Sequence, residues 1–375
     1  MAPRAWRLAR IAGTDIRIDP SWGIIALLVG YSFYFVVDAF FPASSLPVVL
    51  AVSIGMTIAF FASLLLHELA HAGLARSRGL EVRGITLFLF GGATEADLDA
   101  EKPGDEFWIA VVGPLTSLAI AGALWTLVEF GSSLVGEHIA FAAGRLGWLN
   151  LALALFNLLP GFPLDGGRLV RAAVWASTGD LRRSTEIAAR TGQAIGFLLI
   201  GFGLLELLAG GVAGGLWTAA IGWFLTRAAD SERRSLRLRE TLSGVTVADV
   251  MQKVPDPVSR DTPLGDVVHE HLLRNGAPTV AVRDNGHVAG VVTRESIRDI
   301  PRSAWDSRTA GDVLTSLERI PSLEPNTPVM AAIEVLRDAD GLVVVLDAGD
   351  VVGMVSLERL SEWIERAEAV GLTEG

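Results

Sequence analysis

The chain has 375 residues, a formal net charge of -11, a mean hydropathy of +0.44 and no cysteine. The missing cysteines exclude disulfides and thiolate metal sites, and the negative charge without a basic stripe argues against nucleic-acid binding. The length predicts two or more domains, and the hydropathy is typical of a protein that crosses a membrane several times.

The N-terminal segment is predicted to form a short hairpin. The first 20 residues lack the continuous apolar core of a cleavable signal peptide. Apolar and polar residues instead alternate on either side of Gly13, so the two strands are expected near Trp6–Ile11 and Asp15–Asp19.

Six apolar runs are predicted to cross the bilayer as helices, and the first five are long enough for about 30 Å of hydrocarbon. They are Trp22–Phe40, Leu46–Leu66, Phe107–Phe130, Ile139–Leu159, Ile187–Leu208 and the shorter Val212–Thr226. Alternate connections contain neither Lys nor Arg, so the positive-inside rule predicts that both termini are cytoplasmic. An odd number of spans would place the Arg-rich segment after Thr226 on the opposite side. The expected localisation is therefore multi-pass in the cell membrane.

A β-rich stretch, Val82–Gly92, lies between the second and third predicted spans. It is too short to span as a helix, and its β-branched and aromatic residues predict a strand or hairpin. An unpaired strand edge cannot face lipid. The segment must therefore be covered by protein, line a wet cavity or lie at the interface.

Ionisable side chains within the spans are candidates for function, because each is unfavourable in hydrocarbon. His67, Glu68 and His71 form an H-E-x-x-H pattern, which suits a zinc ion held by two imidazoles with the glutamate as general base. A catalytic zinc usually takes a third protein ligand, and residues 72–80 contain no His or Glu. Asp165 is the best remaining candidate, because the predicted topology places it on the same, cytoplasmic side as His71.

Three further segments follow a membrane domain predicted to comprise residues 1–228. Residues 229–244 are expected to form a charged helical linker. A soluble βαβ-like pattern then occurs twice, in residues 245–300 and 309–365. The predicted fold class is a polytopic α-helical membrane protein of six transmembrane helices with a small membrane-associated β region, followed by a soluble α/β pair of repeats.

Two motifs occur on separate membrane helices: His67-Glu68-x-x-His71 on one, and Asn157-x-x-Pro160 with Leu164-Asp165-Gly166 on a later one. This pair of motifs resembles that of the site-2 protease family of intramembrane zinc metalloproteases. The repeats resemble a tandem CBS pair, so the resemblance to the family branch that carries one covers essentially the whole chain.

This resemblance implies Zn²⁺ as the cofactor, with His67, His71 and Asp165 as its ligands and Glu68 activating the water. It also implies that Asn157 orients the substrate or stabilises the oxyanion, for which an amide donor is suited. A further segment matches a small-residue motif of the family's third span, Gly113-Pro114-Leu115-Thr116-Ser117. Close helix packing through small residues is an equally good interpretation of that segment.

The function implied is an intramembrane zinc endopeptidase that cleaves a membrane-embedded protein substrate and releases a fragment, as in regulated intramembrane proteolysis. The stretch Val82–Gly92 matches the family's β region and could hold an extended substrate by strand addition. A purely structural hairpin is the alternative for that stretch. Two other classes of function stay open from the sequence: a catalytically silent membrane scaffold, and an ion transporter gated by the CBS pair.

The repeats depart from the CBS pattern where the family usually places an acid that binds ribose. Ser296 follows Thr293 by three places, and Arg359 follows Ser356. The missing carboxylates argue against adenine-nucleotide binding and favour a role in packing or homodimerisation. The expected partners are therefore a transmembrane protein substrate, the lipid bilayer and a second copy of the chain.

Overall fold

The computed structural model describes residues 6–11, 13–80, 82–89, 91–96, 102–253, 257–274, 279–339, 341–347 and 350–369. The chain forms two compact units, Met1–Leu236 and Arg237–Gly375, which are described separately.

The first unit is built mainly from long apolar helices. Its elements are β1 (Trp6–Ile11), β2 (Thr14–Ile18), α1 (Trp22–Phe40), α2 (Leu46–Ser77), β3 (Val82–Phe88), β4 (Gly91–Ala96), α3 (Pro103–Val135), α4 (Glu137–Asn157), α5 (Asp165–Thr178), α6 (Leu181–Leu208) and α7 (Val212–Thr241). Within the described residues, five helices are long and apolar enough to cross a membrane, namely α1, α2, α3, α4 and α6. Large apolar side chains on them face outward, and Leu27, Phe130 and Leu134 are between 76% and 87% exposed. Such surfaces suit lipid rather than water.

The sixth predicted span, Val212–Thr226, forms the first half of α7. This half packs closely on α6, because a β-carbon at Gly203 would lie 2.6 Å from the Gly215 carbonyl oxygen. Thr218 on α7 also donates to Glu206 on α6 at 2.9 Å. These contacts support a sixth span, and the count of six stays a prediction.

The two predicted β segments join in one four-stranded sheet, with the order β1-β2-β3-β4. β1 and β2 form the N-terminal hairpin, and β2 then pairs in parallel with β3, so that Ile16 lies opposite Ile85. Both isoleucines are buried against Ala72 and Ala75 of α2. Phe90, within the predicted strand stretch, lies outside the described residues.

Local sequence explains where α2 begins and ends. Pro47 lies in its first turn, where the missing amide leaves no hydrogen bond unmade. Gly79, just beyond the helix, has φ of 85°, a left-handed conformation that favours glycine. From the last turn, Arg76 donates to the carbonyl oxygens of Gly13 at 2.9 Å and Val82 at 3.0 Å. These two hydrogen bonds connect the end of α2 to the turn between β1 and β2 and to β3.

The second unit contains the two repeats. Its elements are α8 (Val247–Val250), β5 (Gln252–Lys253), β6 (Val258–Ser259), α9 (Leu264–Asp266) continued by a π-helical segment (Val267–Arg274), β7 (Thr279–Asp284), β8 (His287–Thr293), α10 (Arg294–Arg298), a 3₁₀ turn (Arg302–Ser307), α11 (Ala310–Val313), β9 (Thr315–Ser316), a 3₁₀ turn (Leu317–Arg319), β10 (Ser322–Leu323), α12 (Val329–Asp338), β11 (Leu342–Asp347), β12 (Asp350–Ser356) and α13 (Leu357–Ala369).

Each repeat completes the sheet of the other. The sheet orders are β6-β7-β8-β9 and β10-β11-β12-β5, so the short strand that opens each repeat pairs with the opposite one. The opening helices follow the same rule: Val247 and Val250 lie in the core of the second repeat, whereas Ala310 and Val313 lie in that of the first. Leu242, from the predicted linker, is also buried in the core of the second repeat.

Each repeat opens with the same capping arrangement. Asp249 accepts hydrogen bonds from the amide and hydroxyl of Thr246 at 2.8 and 2.7 Å, and these bonds hold the pKa of the Asp249 carboxyl below its ordinary value. Thr309 and Asp312 form the matching box in the second repeat. A shared start signal is what the sequence repeat predicts.

Candidate metal centre

His67, His71 and Asp165 come together at one point inside the first unit. The histidines lie one turn apart on α2, and Asp165 is the first residue of α5. The Asp165 Oδ2 atom lies 3.2 Å from Nε2 of His67 and 3.3 Å from Nε2 of His71, and the two Nε2 atoms are 3.2 Å apart. Both imidazoles are buried, with His67 2% and His71 7% exposed. Segments almost a hundred positions apart in the sequence therefore converge on one small triangle.

This triangle has the size and chemistry of a zinc site. Tetrahedral zinc with bonds of about 2.0–2.2 Å separates neighbouring ligand atoms by about 3.3–3.6 Å, close to the three observed distances. The Nδ1 atom of His71 donates to the Ile109 carbonyl oxygen at 2.6 Å. In the neutral imidazole Nε2 then carries a lone pair, which faces the carboxylate oxygen of Asp165. A cation between the Nε2 lone pair and the carboxylate oxygen would remove the repulsion between them. The residues therefore fit a zinc ion.

Helix α3 orients both histidines, a role that the sequence motifs do not predict. Ile109 accepts the hydrogen bond from His71, and Ser117 Oγ lies 2.9 Å from Nδ1 of His67. Ile109, Gly113 and Ser117 follow one another at intervals of four residues and so share one face of α3. Partners of this kind fix the tautomer of a ligating imidazole and leave Nε2 for the metal.

Gly113 lies directly over the two imidazoles. A β-carbon there would lie 2.7 Å from Nε2 of His67 and 2.6 Å from Cε1 of His71, and it would also collide with Nε2 of His71. The small-residue segment Gly113–Ser117 therefore touches the cluster itself. Pro114 lacks the amide that a helix normally supplies to the carbonyl four residues earlier, which opens the hydrogen-bond ladder at this turn of α3.

The loop before α5 holds Asp165 by close backbone packing. The Phe162 amide donates to the Ala188 carbonyl oxygen of α6 at 3.2 Å. On the α6 side of this contact, a β-carbon at Gly192 would collide with the Phe162 carbonyl group. Gly166 likewise packs against the backbone of Leu158 and Leu159. The glycines at these two contacts thus permit the backbone segments to approach closely.

Glu68 lies beside the β-sheet rather than among the three ligand atoms. A β-carbon at Gly92 would lie 2.7 Å from Cγ and 3.1 Å from Oε1 of Glu68. Gly92 belongs to β4, which stands at the edge of the sheet with β3 as its described partner. An edge strand therefore runs past the carboxylate that the H-E-x-x-H pattern assigns as general base.

Asn157 is placed less directly by the structure. It is the last residue of α4, and its side-chain amide donates to the Leu153 carbonyl oxygen at 3.0 Å. Among the described residues, the side chain of Asn157 thus makes its hydrogen bond within α4. The role of Asn157 toward a substrate stays a prediction.

The chain is similar to known proteins over most of its length. The model of peptidase family M50 matches residues 55–145 and 134–199, and the CBS domain model matches residues 247–302 and 310–366. The chain is 34% identical over 373 residues to Rip3 of Mycobacterium tuberculosis, named as a zinc metalloprotease, covering 95% of this chain and 94% of that protein. A Synechocystis protein, also named as a zinc metalloprotease, is 30% identical and covers 97% and 96%. Among solved structures, the site-2 protease from Methanocaldococcus jannaschii is 28% identical, with a TM-score of 0.45, over 62% of this chain and 96% of that one.

Proposed function

Since the chain belongs to peptidase family M50, the site-2 proteases, we propose that His67, His71 and Asp165 hold its catalytic zinc. The protein is a multi-pass membrane zinc metalloprotease with a C-terminal pair of CBS domains. The observation that carries the ligand assignment is the triangle of Nε2, Nε2 and Oδ2 atoms, with edges of 3.2–3.3 Å. Charge placement supports an orientation in which both termini and the metal centre face the cytoplasm.

The reaction proposed is hydrolysis of a peptide bond in a transmembrane protein substrate. Zinc, when bound, lowers the pKa of a coordinated water and polarises the scissile carbonyl. Glu68 accepts a proton from the attacking water and then delivers it to the leaving amine, so no net proton is gained or lost by the enzyme. Ile109 and Ser117 keep the imidazoles oriented throughout. Cleavage near the cytoplasmic face releases a soluble fragment of the substrate.

Strand β4 is proposed to hold the substrate in an extended form. A peptide bond within a helix is shielded by its own hydrogen bonds, so the segment must unwind before attack. Strand addition to the edge of β4 supplies replacement backbone hydrogen bonds. Because Gly92 of β4 contacts Glu68, a strand added here lies close to the general base.

The test of the proposed function is cleavage of a co-expressed membrane substrate by wild type and by Glu68→Gln. The amide cannot take a proton, so we expect cleavage to fall by roughly 10²–10⁴-fold, with one zinc per chain retained. A catalytically silent scaffold would show no difference between the two proteins. A transporter would instead move zinc across vesicles, and either result would overturn the proposal.

Proline substitutions in β4 test the role of the edge strand. Amides along an antiparallel strand point alternately to the partner and away from it. One of the two variants Ala93→Pro and Thr94→Pro therefore removes an amide that donates a hydrogen bond to β3. The other removes an amide that points to the outer edge of β4. We expect the variant that keeps its thermal stability to lose cleavage by about tenfold or more while retaining zinc. Unchanged cleavage in that variant, or loss of its zinc, would count against substrate binding at β4.

For the CBS pair we propose a packing or dimerisation role without adenine nucleotide. In support, Ser296 is engaged in the cap of α10, where its amide donates to Thr293 Oγ1 at 3.1 Å. Arg359 pairs with Glu362 at 3.3 Å. Neither position offers a carboxylate to a ribose.

Calorimetric titration of the fragment Arg237–Gly375 with ATP and AMP checks this assignment. The fragment starts at Arg237 because Leu242 belongs to the core of the second repeat. We expect no saturable heat up to about 1 mM nucleotide. The Ser296→Asp variant, which keeps an acceptor in the α10 cap, is the matched protein with one carboxylate restored. Saturable binding by the unmodified fragment would refute the prediction.

A further inference from the structure

A buried ion pair joins α3 to α5, and neither of its residues belongs to the metal centre. Arg171 of α5 donates through Nε to Oε1 of Glu106, which lies in the first turn of α3. Glu106 is 2% exposed and Arg171 is 8% exposed. A charge at such depth is strongly unfavourable without its partner, so each residue fixes the position of the other.

The pair joins α5, whose first residue is Asp165, to α3, which orients the two histidines. Asp165 precedes Arg171 by six residues on α5, a rise of about 9 Å, and Gly113 follows Glu106 by seven residues on α3, about 10.5 Å. The ion pair and the metal centre are therefore separated by similar distances along the two helices. Because the ion pair fixes the position of α5 along α3, it also fixes the position of Asp165 relative to the two imidazoles.

Arg171 also reaches the loop that leads into α5. Its guanidinium carbon lies 5.2 Å from the centre of the Phe162 ring, and the Phe162 amide is bonded to Ala188 of α6. The other carboxylate oxygen of Glu106, Oε2, is buried and accepts no hydrogen bond from the described residues. The Glu106 carboxylate is thus oriented chiefly by Arg171, with Arg168 and Glu232 acting on it electrostatically.

We propose that Glu106 and Arg171 are positioning residues that set Asp165 in place as the third metal ligand. The pair touches neither zinc nor substrate, and it acts by fixing the register of α5 on α3. This inference rests on the proposed ligand set and extends it to residues outside the H-E-x-x-H and Asp165 motifs.

The test is zinc affinity of the purified full-length protein, measured by competition with a chelator. Substitution of residues that hold metal ligands in position typically weakens a metal site by roughly 10–100-fold, and we expect a loss of this size for Arg171→Met. Arg171→Lys keeps a cation within reach of Glu106 and should recover most of the affinity. The absorption bands of the cobalt-loaded protein should change in Arg171→Met, since the carboxylate ligand is displaced.

Arg78→Met is the matched control, because Arg78, which directly follows α2, pairs with Asp105, the neighbour of Glu106. This pair joins the end of α2 rather than α5 to α3. The zinc affinity of Arg78→Met should equal that of wild type. The double variant Glu106→Leu with Arg171→Met leaves no unpaired charge, so it is expected to fold and still bind zinc weakly.

Wild-type affinity and cobalt spectrum in Arg171→Met or in the double variant would overturn the proposal. So would an equal loss in Arg78→Met, or a lysine variant no better than methionine. If Asp165→Ala itself retains zinc, the ligand set has failed. If Asp165→Ala loses zinc and Arg171→Met does not, only the positioning role has failed.

Discussion

Replacing His67, His71 or Asp165 singly with alanine is expected to leave the protein without stoichiometric zinc and with cleavage at background level. Each residue supplies one atom of a triangle whose edges are 3.2–3.3 Å, so its loss leaves two ligands on a site that needs three. Metal analysis of the purified proteins measures the zinc-to-chain ratio directly, and cleavage of a co-expressed membrane substrate measures activity.

His138→Ala is the control for this series. His138 lies at the start of α4, with its Nε2 atom 2.9 Å from Ser44 Oγ and its ring stacked on Phe41 at 4.2 Å. Its replacement also removes an imidazole, but one engaged elsewhere in the first unit, so the zinc content should be unchanged. Zinc retained by Asp165→Ala would break the assignment of the third ligand, whatever the two histidine variants show.

Gly113→Ala is expected to lose zinc and activity although no ligand is changed. A β-carbon at this position would lie 2.6 Å from Cε1 of His71 and 2.7 Å from Nε2 of His67, which is closer than carbon and nitrogen atoms approach. The imidazoles must turn away, and their bonds to Ile109 and Ser117 are then broken. The measured quantities are again the zinc-to-chain ratio and the cleavage rate.

Gly122→Ala separates this effect from any general change in α3. Position 122 lies on the same helix, and a β-carbon there would meet no atom within 4 Å. Alanine favours a helix over glycine by about 1 kcal/mol, so both variants should gain in helix propensity, and only Gly113→Ala should lose metal. Full zinc occupancy in Gly113→Ala would show that the cluster does not bind metal in the arrangement described.

The ligand cluster was predictable because two independent rules agree on it. The spacing of His67 and His71 places both on one helix face, and the charge of the connecting segments places Asp165 on the same side of the membrane. The structure brings the three side chains together. By contrast, the contribution of α3 has little signature in a sequence. A backbone carbonyl at Ile109 is common to every residue type, and the helical spacing of Gly113 and Ser117 was the one available signal.

The differences in fold have similarly physical origins. Helix α5 was not anticipated, because its 14 residues are too few and too polar to read as a span. The apolar run of the second span ends at Leu66, yet α2 continues to Ser77, since the sheet and α3 cover its last turns. Strands of two residues, such as β5 and β9, carry too little pattern to reveal their partner. Their pairing is decided by the packing of the helices beside them.

The exchange of strands between the CBS repeats has a consequence for synthesis on the ribosome. The core of the first repeat includes Ala310 and Val313, so it cannot close until those residues have left the exit tunnel. Helix α8 is synthesised early, yet its valines become buried only when Val343, Val345 and Val355, near the end of the chain, have also been synthesised. A chain that stops between the repeats would therefore expose the unfinished core of the first repeat and the apolar valines of α8, instead of presenting one completed domain.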